Sequence, residues 1–169
     1  MIDKKKVVVI VLFAALFTWF KSGSDDWGAY VKDDAFSGGK QAQLEVSSGP
    51  DSLIFGCTQK TLMLQFAMEK HVENDVGEFA LRVDGGEPFI FEYAFLQGKE
   101  DVSFVRIASD DYSNILKKLL VKLKSADSEV LVGFRGMHSN YRAKFGVRGV
   151  KASFDEFNDA CKIIIASND

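Results

Sequence analysis

The chain has 169 residues, 47% of them hydrophobic and 27% charged, with a net charge of −3 at pH 7. An apolar content this high excludes a disordered or low-complexity chain, because it is enough to build a core. Setting aside the four lysines and one aspartate of residues 1–24 leaves 17 basic and 23 acidic side chains, about −6 overall, which excludes global attraction to nucleic acid or to an anionic membrane.

The first element is an export segment. Lys4, Lys5 and Lys6 precede a 14-residue apolar run, Val7 to Phe20, and the sequence turns polar at Lys21-Ser-Gly-Ser-Asp-Asp. Positive charge, an apolar run and a polar exit make a secretory signal or an uncleaved anchor, with the lysines held on the cytoplasmic side. The run is shorter than the roughly 20 residues that cross a hydrocarbon core, which suits a signal peptide. Trp19 and Phe20 favour a membrane interface, and the flanking lysines can lengthen the span by snorkelling, which suits an anchor. The best cleavage site is Ser22-Gly23-Ser24. The expected organisation is a signal or anchor over residues 1–24, with Val7, Trp19 and Phe20 in the membrane, and one exported domain over 25–169. The expected location is the bacterial inner membrane with the domain in the periplasm, or the soluble periplasm if the leader is cleaved.

That compartment bears on Cys57 and Cys161. In an oxidising space an even pair in one domain forms a disulfide, here closing a long loop; two buried free thiols are the alternative. Two distant cysteines do not make a metal site.

The exported part then reads as strands. Trp27-Gly-Ala-Tyr-Val-Lys is a first strand, followed by a loop at Asp33-Asp34. Gln41 to Val46 alternates, with Ala42, Leu44 and Val46 on one face and Gln41, Gln43 and Glu45 on the other, the period of a half-buried strand. Leu53–Cys57 and Thr61–Met68 form a hairpin, as do Phe79–Val83 and Phe89–Phe95 around Asp84-Gly-Gly-Glu-Pro88. Val102–Ile107 is a further strand. The period then changes: Ser109 or Asp110 caps a helix from about Asp111 to Lys124, with Tyr112, Ile115, Leu116, Leu119, Leu120 and Leu123 in one stripe. Glu129–Arg135 and Arg142–Val147 are two more strands around Gly136–Asn140. Ser153-Phe-Asp-Glu156 reads as a capping box opening a helix to about Ala166, with Phe154, Phe157, Cys161, Ile164 and Ile165 inward. Seven to nine strands and two helices in this order predict an α+β domain, an antiparallel β-sandwich-like body with the helices packed on it.

The layout resembles a family. Trp27, Asp33-Asp34, Cys57, Thr61, Arg82-Val-Asp84, the leucines from Leu116 to Leu120, Leu131 to Arg135, Phe145, Gly149, Phe154 and Cys161 are similar to the pattern of the periplasmic VasI-like proteins associated with type VI secretion. The resemblance implies an accessory envelope protein and carries over no catalytic residue.

No chemistry stands out. His71 and His138 lie in different loops, and neither has the serine and carboxylate spacing of a hydrolase. His71-Val-Glu73-Asn-Asp75 gathers ligand types at no recognised metal spacing. One feature rises above this background. No acidic residue occurs between Glu129 and Asp155, while Arg135, Arg142, Lys144, Arg148 and Lys151 fall there. Arg142, Lys144 and Arg148 are expected on one strand face, with His138 and Tyr141 in the adjacent loop. Such a face either suppresses edge aggregation or meets an anionic partner. The candidate binding residues are therefore Arg135, His138, Tyr141, Arg142, Lys144 and Arg148. The expected function is non-enzymatic: a membrane-tethered accessory or assembly factor that binds an envelope protein, without cofactor, metal or nucleic acid. The alternative is an inhibitor, immunity or prophage superinfection-exclusion protein that blocks a toxin, enzyme or phage component.

Overall fold

A computed structural model describes residues 25–35, 38–58 and 61–162. The leader, Val7 to Phe20 included, and Ile164 and Ile165 lie outside the described residues. Nine strands run in the order β1 (Gly28–Asp33), β2 (Lys40–Ser48), β3 (Asp51–Cys57), β4 (Leu62–Met68), β5 (Asp75–Val83), β6 (Phe89–Lys99), β7 (Val102–Ala108), β8 (Glu129–Gly136) and β9 (Asn140–Gly146). Helix α1 (Ser109–Lys124) follows β7, and helix α2 (Val150–Cys161) follows β9. Among the described residues no helix is long and apolar enough to cross a membrane.

All nine strands join one antiparallel sheet, ordered β1-β2-β3-β4-β7-β6-β5-β8-β9. The fold is α+β, with one continuous curled sheet where a sandwich-like body was expected. β4 pairs with β7 and β5 with β8, so the hairpins fuse into one ladder rather than two stacked sheets. The helices bury their apolar stripes on the inner face of the curled sheet, where the rings of β4 also meet those of β5 and β9 across the curl. Leu116, Leu119, Leu120 and Leu123 of α1 are buried, as are Phe154, Phe157 and Cys161 of α2. The abundant phenylalanines form a train through this core. Tyr112 meets Phe91 at 5.3 Å, Phe91 meets Phe79 at 6.2 Å, Phe79 meets Phe66 at 6.0 Å, and Phe66 meets Phe145 at 6.4 Å.

Trp27 closes the curl. Its backbone N–H donates to the Arg148 carbonyl at 2.9 Å, and its indole N–H donates to the Gly146 carbonyl at 2.8 Å. The start of β1 is thereby tied to the end of β9, at the opposite margin of the sheet. Ser153 Oγ–H donates to the Trp27 carbonyl at 2.9 Å, so that residue is not a cap. Helix α2 starts four residues earlier than expected, with Gly149 in place of Ser153 at its cap; the Gly149 φ of 79° is one that only glycine adopts readily. The disulfide Cys57–Cys161 is formed, with Cα atoms 6.0 Å apart, and fixes the far end of α2 to β3.

β2 departs from the half-buried expectation. Ala42, Leu44 and Val46 face the core, yet Gln41 and Gln43 are buried as well. Ile54, Gln65, Met63 and Ala67 on the same outer side of β3 and β4 are also buried, and Gln65 accepts from Arg106 Nε at 3.0 Å. Alternation fixes which face meets the core; it does not fix whether the opposite face is wet.

Candidate functional site: a groove across the outer face of β5, β8 and β9

The hairpin strands β8 and β9 bring the basic residues of the sequence together only in part. The register sets Gly133 opposite Arg142, Leu131 opposite Lys144 and Arg135 opposite Asn140. Side chains alternate, so Arg135, Arg142 and Lys144 share the outer face. Arg148 does not join them: β9 ends at Gly146, and Arg148 lies in the following turn, ion-paired with Asp26. Tyr141 is not in a loop either. It lies in β9 on the inner face, its ring 5.7 Å from Phe66, and its hydroxyl donates to Asp51 Oδ1 at 2.8 Å. Burial, and then the Asp51 carboxylate, push the Tyr141 hydroxyl up to about 12. Burial likewise holds the Asp51 carboxyl above its usual range, while the bond from Tyr141 pulls it the other way. The strand pairing decides this: once Ala143 and Phe145 face inward, Tyr141 must as well.

His138 is exposed at the tip of the β8–β9 turn. Asp75, only 4% exposed, holds that turn from beneath. Its carboxylate accepts the backbone N–H groups of His138 and Ser139 at 2.9 Å and that of Met137 at 3.3 Å. These bonds, that from His138 foremost, keep the Asp75 carboxyl below its ordinary range. Asp75 is thus engaged by the turn, while His71 and Glu73 are exposed. Among the described residues no three His, Cys, Asp or Glu side chains gather as a metal site.

The outer faces of these strands enclose a groove of about 1080 Å³. Its floor is one row of residues. Arg142 opposes Gly133, Gly133 opposes Ala80, and Ala80 opposes Ile90, spanning β9, β8, β5 and β6. One wall is the row Glu78, Arg135, Asn140; the other is Pro88, Arg82, Leu131, with Lys144 next in that row beyond the groove. The groove exists because its middle residues are small. A Cβ added to Gly133 would meet nothing closer than the Tyr141 carbonyl at 3.9 Å.

Charge is distributed unevenly around it. Arg135 is paired with Glu78, and Lys144 with Glu129 at 3.1 Å. The Glu78 bond and charge raise the Arg135 pKa further. Arg142 and Arg82 have no carboxylate partner among the described residues. Arg82 is not among the binding candidates that the charge run of the sequence offers. Strand alternation between the inward Leu81 and Val83 points it outward, but its place beside β8 follows only from pairing.

A second missed feature borders the groove. Between the pairs Gly77–Ala94 and Phe79–Phe91, β5 has one residue and β6 has two, a bulge. Tyr93 takes φ 57° there and stands 84% exposed. Tyr112 hydroxyl donates to the Glu92 carbonyl at 2.8 Å and fixes the bulge from the helix side. Comparison of the chain with protein-family models, with curated proteins and with solved structures finds no match.

Proposed function

We propose that this chain is a non-enzymatic binding protein of the bacterial cell envelope. Its N-terminal segment Val7–Phe20 targets it to the inner membrane, and its domain docks an anionic partner protein in the outer-face groove. The accessory role that the VasI-like resemblance implies fits this reading. One observation supports it above others: Arg82 and Arg142 border an open, small-residue floor, and neither has a carboxylate partner among the described residues. An arginine at the surface needs no partner, but two beside a recess make a site where a partner's carboxylate gains charge-assisted hydrogen bonds.

The test is in vivo crosslinking and affinity purification of the tagged full chain, comparing wild type with Arg82→Glu plus Arg142→Glu, and with Gly133→Trp, which fills the floor. Membrane and soluble fractions are assayed in parallel. A specific partner recovered with wild type and lost from both variants supports the reading. Equal recovery from all three removes the groove as the site.

A further inference from the structure

Resting on the groove as the docking site, we propose that its ligand is an extended segment of a partner protein with an acidic side chain four residues from a bulky apolar one. The spacing comes from strand register. Arg142 and Ile90 end a single row that crosses β9, β8, β5 and β6. Three strand intervals of about 4.8 Å place those ends about 14 Å apart. An extended chain laid along the row advances about 3.4 Å per residue, so four residues cover about 14 Å. Side chains of such a chain alternate, and residues i, i+2 and i+4 all point at the sheet.

Each of the three then meets matching chemistry. The acidic residue reaches Arg142, with Arg82 in the adjoining row. Arg135 and Lys144 already hold Glu78 and Glu129. The central residue lies over Gly133 and Ala80, where the floor leaves room for a side chain. The apolar residue covers Ile90, which is 45% exposed. Charge alone leaves the chain direction open, so either acidic-x-x-x-apolar or its reverse fits.

The experiment titrates fluorescein-labelled peptides, with Glu and Phe separated by zero to six Gly or Ser residues in both orders, against the full chain in mild detergent. Gly133→Trp and Arg142→Gln are titrated alongside, with circular dichroism confirming that each variant is folded. The three-residue separation is expected to bind about tenfold more tightly than the others. Arg142→Gln is expected to weaken it about tenfold, and Gly133→Trp to abolish it. Peptides of another spacing, or without Glu, that bind as tightly and still fail on Gly133→Trp overturn the ligand chemistry and leave the groove standing. If no peptide senses Gly133→Trp, both readings fall. Binding of phosphatidylglycerol vesicles, lost in Gly133→Trp and without peptide binding, overturns the peptide and makes the occupant a lipid surface.

Discussion

Removing the disulfide by Cys57→Ala plus Cys161→Ala should lower the stability of the domain without changing its fold. The bond spans a sequence separation of 104 residues. In the chain-entropy account, a link closing a loop of about 100 residues contributes about 4.7 kcal/mol by restricting the unfolded chain. With a urea slope of about 2 kcal/mol per molar, the unfolding midpoint should fall by about 2 M. The melting temperature should fall by roughly 10–20 °C at about 2–4 °C per kcal/mol for a domain of this size. Helix α2 should remain docked in water, because Phe154 and Phe157 are buried independently of the bond. Intrinsic fluorescence follows the transition well, since Trp27 sits in the core 6.4 Å from Phe55; a Trp19→Phe background removes the leader's tryptophan. The oxidised wild type, the reduced wild type and the double variant are titrated together. Reduced wild type should track the variant. A midpoint shared by all three within about 0.3 M would refute the reasoning, as would two alkylatable thiols in the unreduced protein.

Three further outcomes follow from single residues. Asp84 accepts the N–H groups of Asp127, Ser128 and Glu129, and these bonds hold its carboxyl well below the usual range. A depressed folded-state pKa means stability present above the unfolded value near 4 and lost as pH falls through the folded one. Asp84→Asn tolerates the φ of 50° there but removes the charge and replaces one of the two accepting oxygens with a donor, so it should cost about 1–2 kcal/mol at pH 7 in urea titrations, with the difference from wild type shrinking as pH falls below about 4. Gly77→Ala should destabilise by about 2 kcal/mol or more, because its Cβ would fall on the Arg135 carbonyl, whereas Gly133→Ala should stay within about 1 kcal/mol of wild type by thermal melts. Trp27→Phe should cost about 1–3 kcal/mol in urea titrations followed by circular dichroism, since it strands the Gly146 carbonyl; no change would mean that the indole does not close the curl.

Local patterning carried the elements further than the architecture. The leucine stripe of α1 and both predicted hairpins follow from periods of 3.6 and 2 and from the Asp84-Gly-Gly turn, and all are present. The pairings β4–β7 and β5–β8 join segments with no shared turn, and only they make one sheet rather than two. The capping box at Ser153 misled because a serine hydroxyl serves a carbonyl as well as an amide; the Trp27 carbonyl, 126 residues away in sequence, claimed it. The charge run after Glu129 pointed to β9, but not to which cations are already neutralised. Glu78, Glu129 and Asp26 are brought up by tertiary structure to Arg135, Lys144 and Arg148, and among the described residues they leave Arg142 and Lys151 of that run without a carboxylate partner.

The glycines of this region separate structural need from an opening left unfilled. A glycine inside a strand weakens it and packs nothing, so its presence needs a cause. Gly77 has one in the Arg135 backbone, and Gly136 has one in the Asp75 carboxylate that holds the β8–β9 turn. Gly133 has neither: its backbone is unstrained and the space above it is open. Its neighbours in the row are Ala80 and Arg142, so a short, shallow floor ends in a cation with no carboxylate partner among the described residues. Valine or threonine at 133 would serve the strand better, by about 1 kcal/mol on β-propensity, and would close the groove. A residue that costs the sheet stability and relieves no contact in the free protein is accounted for when something else occupies the space it leaves.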